Sequence, residues 1–175
     1  MVVFGVFAPA VASAQDDALD SAYRAAEVGA WEPAARAWKR ALEQAPTLAG
    51  AAAYTLRGAS PDSRSAIRRI FLGPPLGLGS RRALAQLETD WGSAREGWVA
   101  LATLPASDST VAAWAQFADE AEASGAPLVA RDAFAAALAA RPSPELAARA
   151  AAAALAGGDA AGALALSDRP EATRG

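Results

Sequence analysis

No stretch of this chain alternates apolar and polar residues at a period of two, so strands are not expected. The chain consists instead of blocks of about 12–15 residues, rich in alanine, leucine, arginine and glutamate and separated by proline and glycine. These are good helix formers, and β-branched residues are few. The pattern predicts helices near 16–28, 32–45, 48–57, 62–72, 79–90, 93–103, 110–124, 127–140, 144–156 and 160–167. Links such as Val28-Gly29-Ala30 and Ser124-Gly125-Ala126 are short, so successive helices should run antiparallel. The expectation is an all-α protein.

The first block differs from the rest. Val2 to Val11 is an apolar run, and Ala12-Ser13-Ala14 after it has the small-x-small pattern of a signal-peptidase site. Cleavage after Ala14 would leave Gln15 at the mature N-terminus, next to Asp16, Asp17 and Asp20. The run is about half the ~20 apolar residues that a membrane span needs, and no cysteine follows it to carry a lipid. Residues 1–14 are therefore expected to be a signal peptide, and the mature chain periplasmic or secreted with no stable membrane span. No Lys or Arg precedes the run, as would be expected if the signal peptide is truncated and the true start lies upstream of Met1.

One spacing returns three times. It reads Trp31-x2-Ala34-x3-Trp38-x2-Ala41-Leu42 before Pro46, then Trp91-x2-Ala94-x3-Trp98-x2-Leu101 before Pro105. The third instance is Pro127-x2-Ala130-x3-Phe134-x2-Ala137-Leu138 before Pro142. Alanine matches carry little weight, because alanine supplies 53 of the 175 residues. Aromatics are only 7% of the chain, so their shared register carries the argument.

On these residues the chain resembles the tetratricopeptide repeat, a helix-turn-helix unit of about 34 residues. Trp114, Phe117, Ala118, Ala121, Gly125, Ala130, Phe134, Ala137, Leu138 and Pro142 match both helices of that motif. The first copy matches from Gly29 to Pro46, with Ala22 and Ala25 at small positions and Ser21 where a large apolar residue is usual. A fourth begins near Pro144, with Gly158-Asp159 at its turn and Ala163 beyond. The resemblance implies a solenoid of about four antiparallel helix pairs. Their expected bounds are 15–46, a diverged, shortened unit and linker at 47–78, then 79–109, 110–143 and a partial unit at 144–175. Small residues such as Ala22, Ala34, Ala118 and Ala130 would let helices approach closely. Trp38, Trp98, Trp114, Phe117 and Phe134 would fill the space between pairs.

Composition then removes most chemistries. With no histidine and no cysteine there is no histidine-based triad, no thiol nucleophile and no disulfide framework. No metal or cofactor is expected, and a net charge of −3 gives no case for nucleic acid. Gly73 to Ser80 is glycine-rich but lacks the Gly-Lys-Ser/Thr core of a phosphate loop, and reads as a linker at which the solenoid turns. Arg64, Arg68, Arg69, Arg81 and Arg82 flank it as a candidate anion patch. The carboxylates Glu88, Asp90, Glu96, Asp119, Glu120 and Glu122 read as helix surface rather than a glycosidase pair. Lys39, the one lysine, is expected on the outer face of a second helix, away from any serine nucleophile.

The resemblance also implies where a ligand would lie, along the groove lined by first helices. Those positions are Asp16, Tyr23, Glu27, Gln86, Asp119, Glu122 and Glu145, a mildly acidic set that favours a basic or neutral peptide. Clamping a C-terminal carboxylate with paired Lys and Asn is excluded, because the chain has no asparagine and a single lysine. The expectation is a non-catalytic, exported scaffold that binds a protein or peptide. The alternatives are a helical, non-catalytic region of a larger cell-wall enzyme such as a lytic transglycosylase, or a structural spacer.

Overall fold

The computed structural model describes residues 9–168, with side chains from residue 16 onward. Of the expected signal peptide, residues 1–8 lie outside the described residues. The described residues form ten α-helices: α1 (Pro9–Glu27), α2 (Trp31–Gln44), α3 (Ala49–Leu56), α4 (Pro61–Leu72), α5 (Leu78–Asp90), α6 (Ala94–Ala102), α7 (Asp108–Ala123), α8 (Pro127–Ala140), α9 (Pro144–Ala156) and α10 (Ala160–Ser167). No strand occurs among the described residues, and the fold is all-α. No helix of the described residues is long and apolar enough to cross a membrane. The chain divides into two compact units, residues 1–80 and 81–175.

In the second unit, α7 packs on α8, α8 on α9, and α9 on α10. The turns that create these pairs share one geometry. Gly92, Gly125 and Gly158, spaced 33 residues apart, have φ of 81°, 82° and 80°, the left-handed region that costs a residue with a Cβ and suits glycine. In each case the glycine N–H donates to the carbonyl three residues back, and the next N–H donates to the carbonyl five back. The latter bonds run from Ser93 to Glu88, Ala126 to Ala121 and Asp159 to Ala154, at 2.6, 2.9 and 2.8 Å. This is a Schellman stop, which satisfies the last carbonyls of one helix while reversing the chain into the next. Side-chain caps help to start the following first helices. Ser107 accepts from the Thr110 N–H at the start of α7, and Ser143 from the Leu146 N–H at the start of α9.

Counted from the turn glycine, the core repeats. Seven residues before it stand Ala85, Ala118 and Ala151, and five after it Gly97, Ala130 and Ala163, all buried. These are the close-approach positions. At Gly97 a Cβ would lie 2.7 Å from the Ala85 carbonyl oxygen and 3.1 Å from the Phe117 ring. Nine residues after the glycine stand Leu101 and Phe134, 1% and 0% exposed.

This register corrects the one drawn from the aromatic spacing. Trp91 sits in the turn after α5 and α6 begins three residues later at Ala94, whereas Trp31, its counterpart in the spacing, begins α2. Trp98 is therefore equivalent to Arg131, not to Phe134. It packs against Trp114 edge-on, with centroids 6.0 Å apart, and against Phe117 in a stack at 6.2 Å. The seven residues from Trp91 to Trp98 thus span a turn and the start of α6, whereas Trp31 and Trp38 both lie on α2, two helical turns apart.

In the first unit, α1 packs on α2 through a fourth turn of the same kind. Gly29 has φ 72°, and the Ala30 N–H donates to the Ala25 carbonyl at 2.8 Å. Ala22 and Ala34 lie at the same offsets, and Trp38 fills the position of Phe134; all three are 0% exposed. After α3 the pattern changes, and α2 packs on α4. Here Lys39 departs from expectation. Its ammonium does not face outward but donates to the carbonyls of Ile70, Gly73 and Pro74, at 3.0, 2.6 and 2.8 Å. Three donors meet three carbonyls at the C-terminus of α4, the end at which the helix dipole favours a cation.

Candidate functional site

α1 presents Asp16, Tyr23 and Glu27 on one side, because spacings of seven and four residues return to the same face of a helix. All three are exposed. α3 runs beside α1 and brings Tyr54, Thr55 and Arg57 to it. Between the two helices lies a groove of about 380 Å³, lined by Tyr23, Ala26, Glu27, Tyr54, Thr55, Arg57 and Gly58. The chain has two tyrosines, and both are in this groove, 45% and 65% exposed. Among the described aromatics, Trp38, Phe71, Phe134, Trp98, Trp114 and Phe117 are buried and Trp31 and Trp91 half-buried, so the two tyrosines of the groove are the most exposed rings.

Both rings are held. Tyr23 stands at 79° to buried Trp38, centroids 5.2 Å apart. Tyr54 carries the Arg57 guanidinium over its ring, 4.0 Å from the centroid. The floor is small, Ala26 and Gly58. Of the residues expected at the site, Tyr23 and Glu27 line this groove, and Asp16 lies two turns earlier on the same face. Tyr54 and Arg57 were not foreseen. The signal available was the second tyrosine, three residues before an arginine on a helix that otherwise offers mostly alanine.

The remaining expected positions, Gln86, Asp119, Glu122 and Glu145, lie in the second unit, and of these Asp119 is held by an ion pair. Asp119 of α7 forms an ion pair with Arg149 of α9, whose guanidinium also covers the Phe134 ring at 4.3 Å. Next to it, Gln116 donates to Glu120 at 3.0 Å and accepts from Arg82 of α5 at 2.6 Å. Burial raises the Glu120 pKa above the ordinary carboxylate value, and the Asp90 charge adds to that. The Gln116 hydrogen bond and the Arg82 charge oppose it. Gln86 is half-buried on α5, while Glu122 and Glu145 are exposed on α7 and α9.

The second helices of this unit carry an ion chain. Arg95 of α6 pairs with Asp132 of α8, and Arg131 beside it pairs with both Asp132 and Asp159, each at 2.6 Å. Asp159 also accepts from the Gly162 N–H at 2.8 Å, capping α10. That backbone bond and then Arg131 hold its carboxyl below the usual range.

The five arginines of the expected anion patch do not all carry exposed charge. Arg81 is 4% exposed, on the α5 face that also buries Ser80, Leu84 and Glu88. In the first unit Arg64 donates to the Ala59 carbonyl at 3.3 Å, and Arg69 lies 4.0 Å from Glu32. Arg68 is half-buried, and Arg82 is bonded to Gln116. Among the described residues no group of three or more His, Cys, Asp or Glu side chains is placed to hold a metal ion. No family model, curated protein or solved structure matches the chain.

Proposed function

We propose that the chain is a non-catalytic scaffold of the tetratricopeptide-repeat type, exported to the cell envelope or beyond, which docks a segment of a protein partner on the faces of its first helices. The observation that carries this reading is the α1–α3 groove, which gathers both tyrosines of the chain on a floor of small residues. Aromatic rings with a polar end suit contact surfaces, because they bury a large area with little loss of side-chain freedom. Turns that recur at 33 residues, close to the family's unit length, support the helical-repeat part of the reading.

The test compares two immobilised proteins on one envelope or secreted fraction, wild type and the Tyr23→Ala/Tyr54→Ala double variant, each checked for helicity by circular dichroism. The wild type should retain a partner that the folded double variant releases. Equal retention by both would remove the groove from the function.

A further inference from the structure

We propose that the α1–α3 groove takes a cationic side chain, an arginine or lysine of an extended peptide, with its charged head over the Tyr23 ring and paired with Glu27. This rests on the docking role proposed above and names the chemistry of the occupant.

The charges on the two walls decide the sign. From residue 16 onward α1 carries Asp16, Asp17, Asp20 and Glu27 against one base, Arg24. Arg24 lies 3.5 Å from Asp20, which leaves Asp16, Asp17 and Glu27 with no ion-pair partner among the described residues. On the opposite wall the single cation, Arg57, is already stacked on Tyr54. A carboxylate ligand would meet the unpaired Glu27 in the groove, with Asp16 and Asp17 further along the same helix, and a guanidinium already stacked on a ring. A cationic ligand meets the reverse.

Geometry supports the same occupant. Tyr23 and Glu27 are one helical turn apart on the same face, which sets a carboxylate beside an aromatic ring. That pairing gives a guanidinium or ammonium both a π face and a counter-ion, and its apolar stem can lie along Ala26 and Gly58. The Arg57–Tyr54 stack repeats the interaction within the chain itself. Trp38 fixes the Tyr23 ring from below, so less side-chain freedom is lost when a ligand arrives.

Because the chain holds just two tyrosines, 3-fluorotyrosine labelling yields two 19F resonances, both reporting on this groove. The labelled full chain is titrated with three probes, acetyl-Gly-Arg-Gly-Arg-Gly-amide and its Arg→Gln and Arg→Glu analogues. A folded Tyr54→Leu variant assigns the two signals. The arginine peptide should shift both resonances saturably, the glutamine peptide much less and the glutamate peptide not at all. Glu27→Gln should weaken the arginine peptide about tenfold, the effect of losing one well-placed charge partner at a partly desolvated site. If the glutamate peptide binds as well as the arginine peptide, or Glu27→Gln changes nothing, the cationic occupant is overturned while the groove remains a docking site. If none of the three peptides moves either resonance, the occupant and the docking role of the groove fall together.

Discussion

Gly97→Ala separates two registers for the α5–α6 pair by the sign of its effect. In a helix interior that merely tolerates glycine, alanine stabilises by about 0.8–1 kcal/mol, because glycine has more backbone freedom to lose on folding. That is the outcome if the aromatic spacing is the guide, since it assigns the close approach to Ala94. The structure gives the opposite result. The new methyl would lie 2.7 Å from the Ala85 carbonyl oxygen, 3.3 Å from the Ala85 Cα and 3.1 Å from the Phe117 ring. Two of the three obstacles are backbone, so relief requires α6 to move away from α5, dragging Trp98 off Phe117. Overpacking of this kind costs about 1–3 kcal/mol. Less the propensity gain, a net loss of up to about 2 kcal/mol is expected, or up to several degrees of Tm for a unit of this size. Urea unfolding followed by circular dichroism and by tryptophan fluorescence reads it directly. A midpoint above that of the wild type would refute the close approach of α6 to α5 at Gly97.

Three further outcomes are expected. Lys39→Met, which keeps the length of the side chain but removes its donors, should destabilise by about 1.5–3 kcal/mol in urea unfolding, because charged bonds to three carbonyls are lost. Phe134→Ala should cost about 3–5 kcal/mol in the same assay, the ring being fully buried. The two perturbed carboxylates should pull the pH profile of the unfolding midpoint in opposite directions. Asp159, held low, contributes stability that is present above the ordinary carboxylate value near about 4 and lost as pH falls through its depressed folded value. Glu120, raised by burial, contributes stability present below its ordinary value of about 4.3 and lost as pH rises through its elevated folded value. Asp159→Asn should therefore flatten the acid limb of the profile, and Glu120→Gln the limb above it.

The helices were legible because glycine and proline punctuate the chain wherever helices stop. Each of the ten expected helices matches an observed one within a few residues at its ends, apart from α1, which begins earlier at Pro9. The pairing register was less legible. Trp38 and Phe134 do share a position, but Trp98 does not, and only the turn glycines show it. In an alanine-rich chain the small positions carry no contrast, and the aromatics mislead when one of them packs toward a neighbour instead. At the site, Tyr23 and Glu27 came from the register that the resemblance implies. Tyr54 and Arg57 did not, because their segment diverges from the repeat. Pairings such as Asp119 with Arg149, or Lys39 with the end of α4, depend on tertiary neighbours that no local spacing encodes.

The left-handed glycines have a consequence for how such a chain can change its length. Ala118 precedes Gly125 by the seven residues that separate Ala151 from Gly158, and Ala130 follows Gly125 by the five that separate Ala163 from Gly158. Excision of residues 126–158 would join Gly125 directly to Asp159, restoring both the turn and the cap of α10 while bringing Ala163 opposite Ala118. A deletion of any other length in this region would leave the glycine out of step with the small residues on one side. Recombination that respects the 33-residue interval can thus shorten or extend the array by whole helix pairs, and the turn glycine serves as the seam.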